Sequence, residues 1–179
     1  MRSKSAIMIL LQLASFLTTF LIVIAHGSAQ PLFEVQRESF CRGVQGHEPV
    51  YAFSGVAEIK KGETIFLWME ITAGERALTM LEAKQGMPIY HAWASDAGVT
   101  DMIDIGITKE KWLEQADAIR SEFKRRGFFT WRTQSRKQNF KEGRWYVSIL
   151  DANRRPVRKT GSGIVAFRPE IVIKFVPNH

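Results

Sequence analysis

The chain has 179 residues, with 25 Lys and Arg against 18 Asp and Glu, a formal net charge of +7, and 45% hydrophobic residues. That apolar content excludes a charge-dominated disordered chain. The single cysteine, Cys41, excludes an intramolecular disulfide framework, so packing must hold any folded domain.

The first element is a leader. Arg2 and Lys4 precede an apolar run from Ile7 to Ile24, broken only by Gln12, Ser15, Thr18 and Thr19, and Gly27-Ser28-Ala29 supplies small residues behind it. This pattern predicts a signal peptide over 1–29, cleaved after Ala29. An uncleaved membrane anchor is the alternative, because the run approaches the about 20 apolar residues that span a bilayer. Either way the remainder is expected outside the cytoplasm, periplasmic or extracellular. Cleavage leaves one domain of ordinary size. Cys41 lies too far beyond the apolar run to carry a lipid. Its plain reading is burial as a small hydrophobe; intermolecular pairing is the other.

Residues 30–49 mix charge with Gly43, Gly46 and Pro49 and read as an N-terminal arm, leaving 50–179 for a single domain. Short β-type runs follow, divided by turn signals. They are Tyr51–Ile59, Thr64–Thr72, Ala77–Gln85, Ile89–Ser95 and Met102–Ile107. Within the second, Ile65, Leu67, Met69 and Ile71 point one way and Phe66, Trp68 and Glu70 the other. Runs and turns at this spacing indicate an antiparallel sandwich or barrel.

The segment Thr108–Gly127 breaks the pattern. Thr108 suits an N-cap, and Trp112, Ala116, Ile119 and Phe123 recur on one helical face. Lys124, Arg125 and Arg126 sit where a helix end favours cations, and Gly127 suits the residue beyond it. A helix packed on a sheet is expected, with a membrane-surface helix as the alternative. Strands resume over Phe128–Ser135 and Trp145–Asp151, then a turn at Asn153–Pro156 and a loop at Gly161–Gly163. The run Ile164–Val176 closes the chain, with Pro169 interrupting it into two pieces or marking an edge.

Charge is unevenly spread. Thirteen Lys or Arg and three acids lie between Arg120 and Lys159, a net +10. The leader accounts for two positive charges, so the rest of residues 30–179 carries −5. A basic stretch usually points to nucleic acid, but the leader argues against that partner. Anionic envelope components, such as lipid head groups or acidic polysaccharide, or an acidic protein face, fit an exported chain better; peripheral membrane contact is one form this takes.

No histidine has a second His or Cys at metal-ligand spacing, and there is no nucleophile elbow and no phosphate loop, so neither metal nor cofactor is expected. Three short motifs remain: Tyr90-His91-Ala92-Trp93, Trp131-Arg132-Thr133-Gln134-Ser135, and Gly143-Arg144-Trp145-Tyr146-Val147 followed by Asp151. In this order, over roughly Thr64 to Phe175, they resemble a bacterial family catalogued only as a domain of unknown function. Its members carry a His-x-Trp strand, a Trp-Arg-Thr-x-Ser strand and a Gly-x-Trp-x-Val strand ending in Asp. The resemblance implies an immunoglobulin-like β-sandwich, often attached to envelope-associated proteins, with no agreed activity. This chain departs from the pattern by placing a helix between the first two motifs, where a short strand and hairpin belong. The expected fold is therefore mainly β, an antiparallel immunoglobulin-like sandwich with one inserted amphipathic helix at about 108–126.

Strand alternation assigns the motif residues independently. Trp131 and Trp145 belong on core faces. If Trp93 is inside, His91 is inside with it and needs a hydrogen-bond partner. Arg132 then faces outward, free to stack on Tyr146 or Trp68 or to hold a carboxylate. The leading expectation is a non-catalytic binding module whose contacts are Arg132, Arg136, Lys137, Lys141 and Arg144, with Lys124, Arg125 and Arg126 beside them. One rival is an enzyme acting on an envelope polymer, with His91 as base oriented by Asp96 or Asp101. Another is a carbohydrate-binding module using exposed Trp68 and Trp112.

Overall fold

A computed structural model describes residues 31–161 and 166–177. The expected leader, most of the Gly161–Gly163 loop, the start of the closing run at Ile164 and Val165, and His179 lie outside the described residues. The alternating runs form strands β1 (Phe33–Gln45), β2 (Glu48–Ala52), β3 (Val56–Ile59), β4 (Ile65–Ala73), β5 (Tyr90–Ser95) and β6 (Gly98–Asp104). Strands β7 (Phe129–Lys137), β8 (Gly143–Leu150), β9 (Arg158–Lys159) and β10 (Glu170–Phe175) complete them, together with helices α1 (Glu75–Lys84) and α2 (Lys109–Arg126).

The first sheet has the order β2-β1-β4-β7, with β9 alongside β1; the second has the order β3-β10-β8-β5-β6. Pairing is antiparallel except for β1 with β9 and β3 with β10. The chain is thus a mainly β, two-sheet sandwich. Trp68 faces Ser39 on one side and Gln134 on the other, and Trp93 faces Val147, so these registers fix which side chains meet.

The inner face of the first sheet is covered in two halves. At one end Phe40, Ile65 and Leu67 pack on Trp93, Trp145 and Val147 of the second sheet. At the other end Phe33, Val35, Ile71, Phe129 and Trp131 pack with Ala77 and Leu81 of α1 and Trp112 and Ile119 of α2. Ile149 of β8 joins this cluster from the second sheet, and the two helices extend the sandwich core beside it.

Three expectations change. The stretch 30–49, read as an arm, supplies the 13-residue strand β1, paired with β2, β4 and β9. Ala77–Gln85, read as a strand, is helix α1; Ala77 and Leu81, one turn apart, are its buried residues. There are accordingly two helices among the described residues, not one inserted helix. The second helix forms as its caps dictate: the Thr108 side chain accepts from the Lys111 N–H, and Gly127 closes it in the left-handed region at φ 76°. Pro169 divides the closing run as expected: the residues described before it, 166–169, are not strand, β10 begins at Glu170, and the Pro169 carbonyl accepts from Val147 N–H. No described helix is long and apolar enough to cross a membrane.

Candidate functional site

The motif residues form a buried polar latch between the sheets. His91 and Trp93 lie on β5 of the second sheet, Ser135 on β7 of the first. The Trp93 indole can only donate, and it donates to Ser135 Oγ at 2.9 Å. The serine hydroxyl hydrogen is then left for His91 Nδ1, 2.7 Å away. Met69 Sδ, 3.3 Å from Nε2, has no hydrogen to give, so Nε2 carries the ring hydrogen and Nδ1 accepts from Ser135. Burial lowers the His91 pKa to about 3. The imidazole is neutral, inaccessible and without a carboxylate partner. Asp101 is bound to Lys137 and Thr100, and Asp96 lies in the exposed β5–β6 turn. His91 lacks both the access and the orienting acid that a general base needs, so the enzyme reading built on it does not hold.

The other motif residues are occupied in the same way. Thr133 Oγ1 donates to the Ile105 carbonyl at 2.6 Å, and Trp145 Nε1 to the Lys141 carbonyl at 2.8 Å. The Asp151 carboxylate accepts from Asn153 and Arg155 N–H groups and shapes the turn after β8. Their chemistry is spent on the fold.

What faces solvent in a concave setting is a groove of about 1070 Å³ on the outer face of the first sheet. Its floor is Trp68 and Glu70 of β4 with Arg132 and Gln134 of β7; Arg37 enters from β1. One wall is the tip of the β1–β2 hairpin, the other Lys111, Gln115, Glu122 and Arg126 of α2. The tip is a two-residue turn with Gly46 at φ 54° and His47 at φ 66°, both positive as a type I′ turn requires. It bends back over the sheet: the His47 carbonyl accepts from Trp68 Nε1 at 2.8 Å, although Trp68 pairs with Ser39, far down β1.

Two guanidinium groups converge in this groove on one carboxylate. Arg37 donates to Glu70 twice, at 3.1 and 2.9 Å, and Arg132 Nε donates to Glu70 Oε2 at 2.7 Å. The Arg37 bonds, reinforced by Arg132, hold the Glu70 carboxyl below its ordinary value. Glu48, on the hairpin, approaches Arg132 at 3.2 Å and Arg37 at 3.7 Å from above. Arg37 also lies over the Trp68 ring at 5.2 Å. Lys111 sits 5.8 Å from the Trp131 ring and forms no ion pair among the described residues.

The eight basic residues singled out from sequence do not form one face. Arg132 and Arg126 line the groove, and Arg136 shares the outer face of β7 with Arg132. Arg126 is bound to Glu122 at 2.5 Å and lies over Phe128. Lys124 and Arg125 are exposed at the end of α2. Lys137 is not a surface contact: its side chain is 9% exposed, paired with Asp101 and held over the Phe140 and Trp145 rings. Lys141 lies exposed in the loop before β8, and Arg144 faces away from the core on β8, the other sheet. Trp68 and Trp112, offered as exposed sugar platforms, are 2% and 3% exposed. Sequence reasoning missed Arg37, Glu48 and Lys111. Glu70 was visible on the polar face of its strand, but nothing marked its two arginine partners.

No family model matches the chain, and no curated relative matches it. Among solved structures it is similar to an immunoglobulin-like protein from Pseudomonas aeruginosa, at 7% identity and a TM-score of 0.40 over 82% of this chain and all of that one.

Proposed function

We propose that this chain is a non-catalytic, exported β-sandwich module that binds an anionic envelope component or partner protein through the groove on its first sheet. The leader pattern supports export, whether the leader is cleaved or kept as an anchor. The three motifs support kinship with the envelope-associated domain family they resemble. The convergence of Arg37 and Arg132 on Glu70, in an open groove with Lys111 and Arg126 along its wall, is the observation that carries the binding reading. Paired arginines pre-oriented by a half-buried carboxylate present their remaining N–H donors in a fixed fork, which suits carboxylate or phosphate groups. Of the basic residues named from the sequence, Arg132 and Arg126 line this groove, and Arg136 lies farther along the outer face of β7.

The test is equilibrium binding of residues 30–179 to three probes: phosphatidylglycerol vesicles, polygalacturonate and poly-L-glutamate. At least one should bind, and binding should weaken between about 0.01 and 0.15 M ionic strength, where the screening length falls from about 30 to about 8 Å. Arg132→Gln should weaken it further while leaving the thermal midpoint nearly unchanged. Binding indifferent to both salt and Arg132, or no binding to any probe, rejects the proposal.

A further inference from the structure

Two carboxylates touch the arginine pair, and they are not equivalent. Glu70 receives three hydrogen bonds, and its side chain is 14% exposed. Glu48 offers only Oε1 to the two arginines, its closer approach being 3.2 Å, and its side chain is 45% exposed. Exposed ion pairs of the second kind are weak and exchangeable. Glu70 therefore belongs to the site as the anchor of its guanidinium groups, whereas Glu48 occupies it.

Resting on the binding role proposed for this groove, we infer that Glu48 is an internal stand-in for a carboxylate of an acidic protein segment, and that the partner binds by displacing it. Glu48 reaches the arginines from β2, an extended strand, next to a tight turn. The contact is thus an instance of the recognition proposed: a Glu side chain on extended backbone meeting Arg37 and Arg132 from the solvent side. The groove suits a peptide better than a sugar or a lipid. Trp68 and Trp131 are 2% and 7% exposed, so no ring face is open for stacking a saccharide. The rest of the lining is mostly polar, Gln115, Glu122, Arg126, Thr130, Thr133 and Gln134, and Val44 is its one aliphatic side chain, too little apolar surface for an acyl chain.

The experiment compares wild type, Glu48→Gln, Arg132→Gln and Glu82→Gln for binding to labelled poly-L-glutamate, with polygalacturonate and phosphatidylglycerol vesicles as parallel probes. Glu82 is an exposed acid on α1 paired with Arg120, so its variant removes one negative charge away from the groove. Glu48→Gln should bind poly-L-glutamate about two- to fivefold more tightly than wild type, the range an exposed ion pair supports. Glu82→Gln should match wild type, and Arg132→Gln should lose most binding. If Arg132→Gln weakens binding but Glu48→Gln does not tighten it beyond Glu82→Gln, displacement is wrong and the groove reading survives. If polygalacturonate or vesicles bind more tightly than poly-L-glutamate, the partner class is wrong. If no variant binds any probe, both readings fall together.

Discussion

His91 ties the chemistry of one side chain to the stability of the whole chain. Its folded pKa is about 3 against an ordinary 6.5, because burial penalises the imidazolium. Below pH about 6.5 the unfolded chain takes up a proton that the folded chain refuses. Stability therefore falls with decreasing pH, by up to about 1.4 kcal/mol per pH unit, until the buried ring itself protonates. Glu70 and Asp101 add a separate loss. Hydrogen bonds from Arg37 and Lys137, respectively, lower their folded pKa values, so their contribution is present above the ordinary values of 4.5 and 3.8 and disappears as pH falls through the folded ones. The window from 6.5 down to 4.5 thus belongs to His91. Urea unfolding across that window should show a slope of nearly one proton for wild type and a flatter slope for His91→Asn, whose side-chain oxygen can still accept from Ser135. Equal slopes would mean that the ring is not buried neutral. Alternation along β5 was enough to place His91 inside with Trp93. Its partner was not legible, because Ser135 lies 44 residues away on the opposite sheet.

Elements were legible where two local signals agreed. Capping and periodicity both marked α2, and it forms within a residue of its predicted bounds. Helix α1 fits between Gly74 and Gly86 with strand-like length. Its available signals were the four-residue spacing of Ala77 and Leu81 and a composition of strong helix formers. Strand β1 hid for another reason. A register shift between Val35 and Arg37 switches the parity of its faces, so Phe33 and Val35 point inward before it and Glu38 and Phe40 after it. The inward Glu38, bound by Lys159 at 2.7 Å, further obscures the apolar pattern. The placement of α2 depends on Gly106, which lets the Met87–Ile107 bridge form directly ahead of Thr108. A Cβ there would lie 2.1 Å from the Met87 carbonyl oxygen and 2.7 Å from Ile89 N, both backbone atoms that cannot rotate away. Gly106→Ala should therefore cost about 3 kcal/mol or more by urea denaturation, the upper range for overpacking. Gly127→Ala, with open space around it and only its positive φ to resist, should cost about 1 kcal/mol. A smaller loss at Gly106 than at Gly127 would show that the junction yields.

At the scale of the molecule, the basic half of the sequence does not become a basic side. The chain crosses from one sheet to the other between β7 and β8, so Arg132 and Arg144 end on opposite outer surfaces although they are 12 residues apart. Charge counting along a sequence cannot see that crossing. The same architecture decides the fate of Cys41. It sits where three strands meet, opposite Ala52 on β2 and Phe66 on β4, and is fully buried beneath the bent hairpin. Burial also pushes its thiol pKa up, so thiolate is scarce. Reaching the sulfur means separating β2 from β1 while the hairpin tip is tied to Trp68, Arg37 and Arg132. That would dismantle the longest strand, to which β4 and β9 are also paired. Cys41 labelling by a thiol reagent should therefore follow global unfolding, accelerating with urea as steeply as the loss of tryptophan fluorescence does. The protein should also stay monomeric on non-reducing gels, with a thermal midpoint indifferent to reductant. Labelling that is fast in native buffer and insensitive to urea would instead show that the hairpin opens on its own, and the wall it forms over the arginine groove would be a movable one.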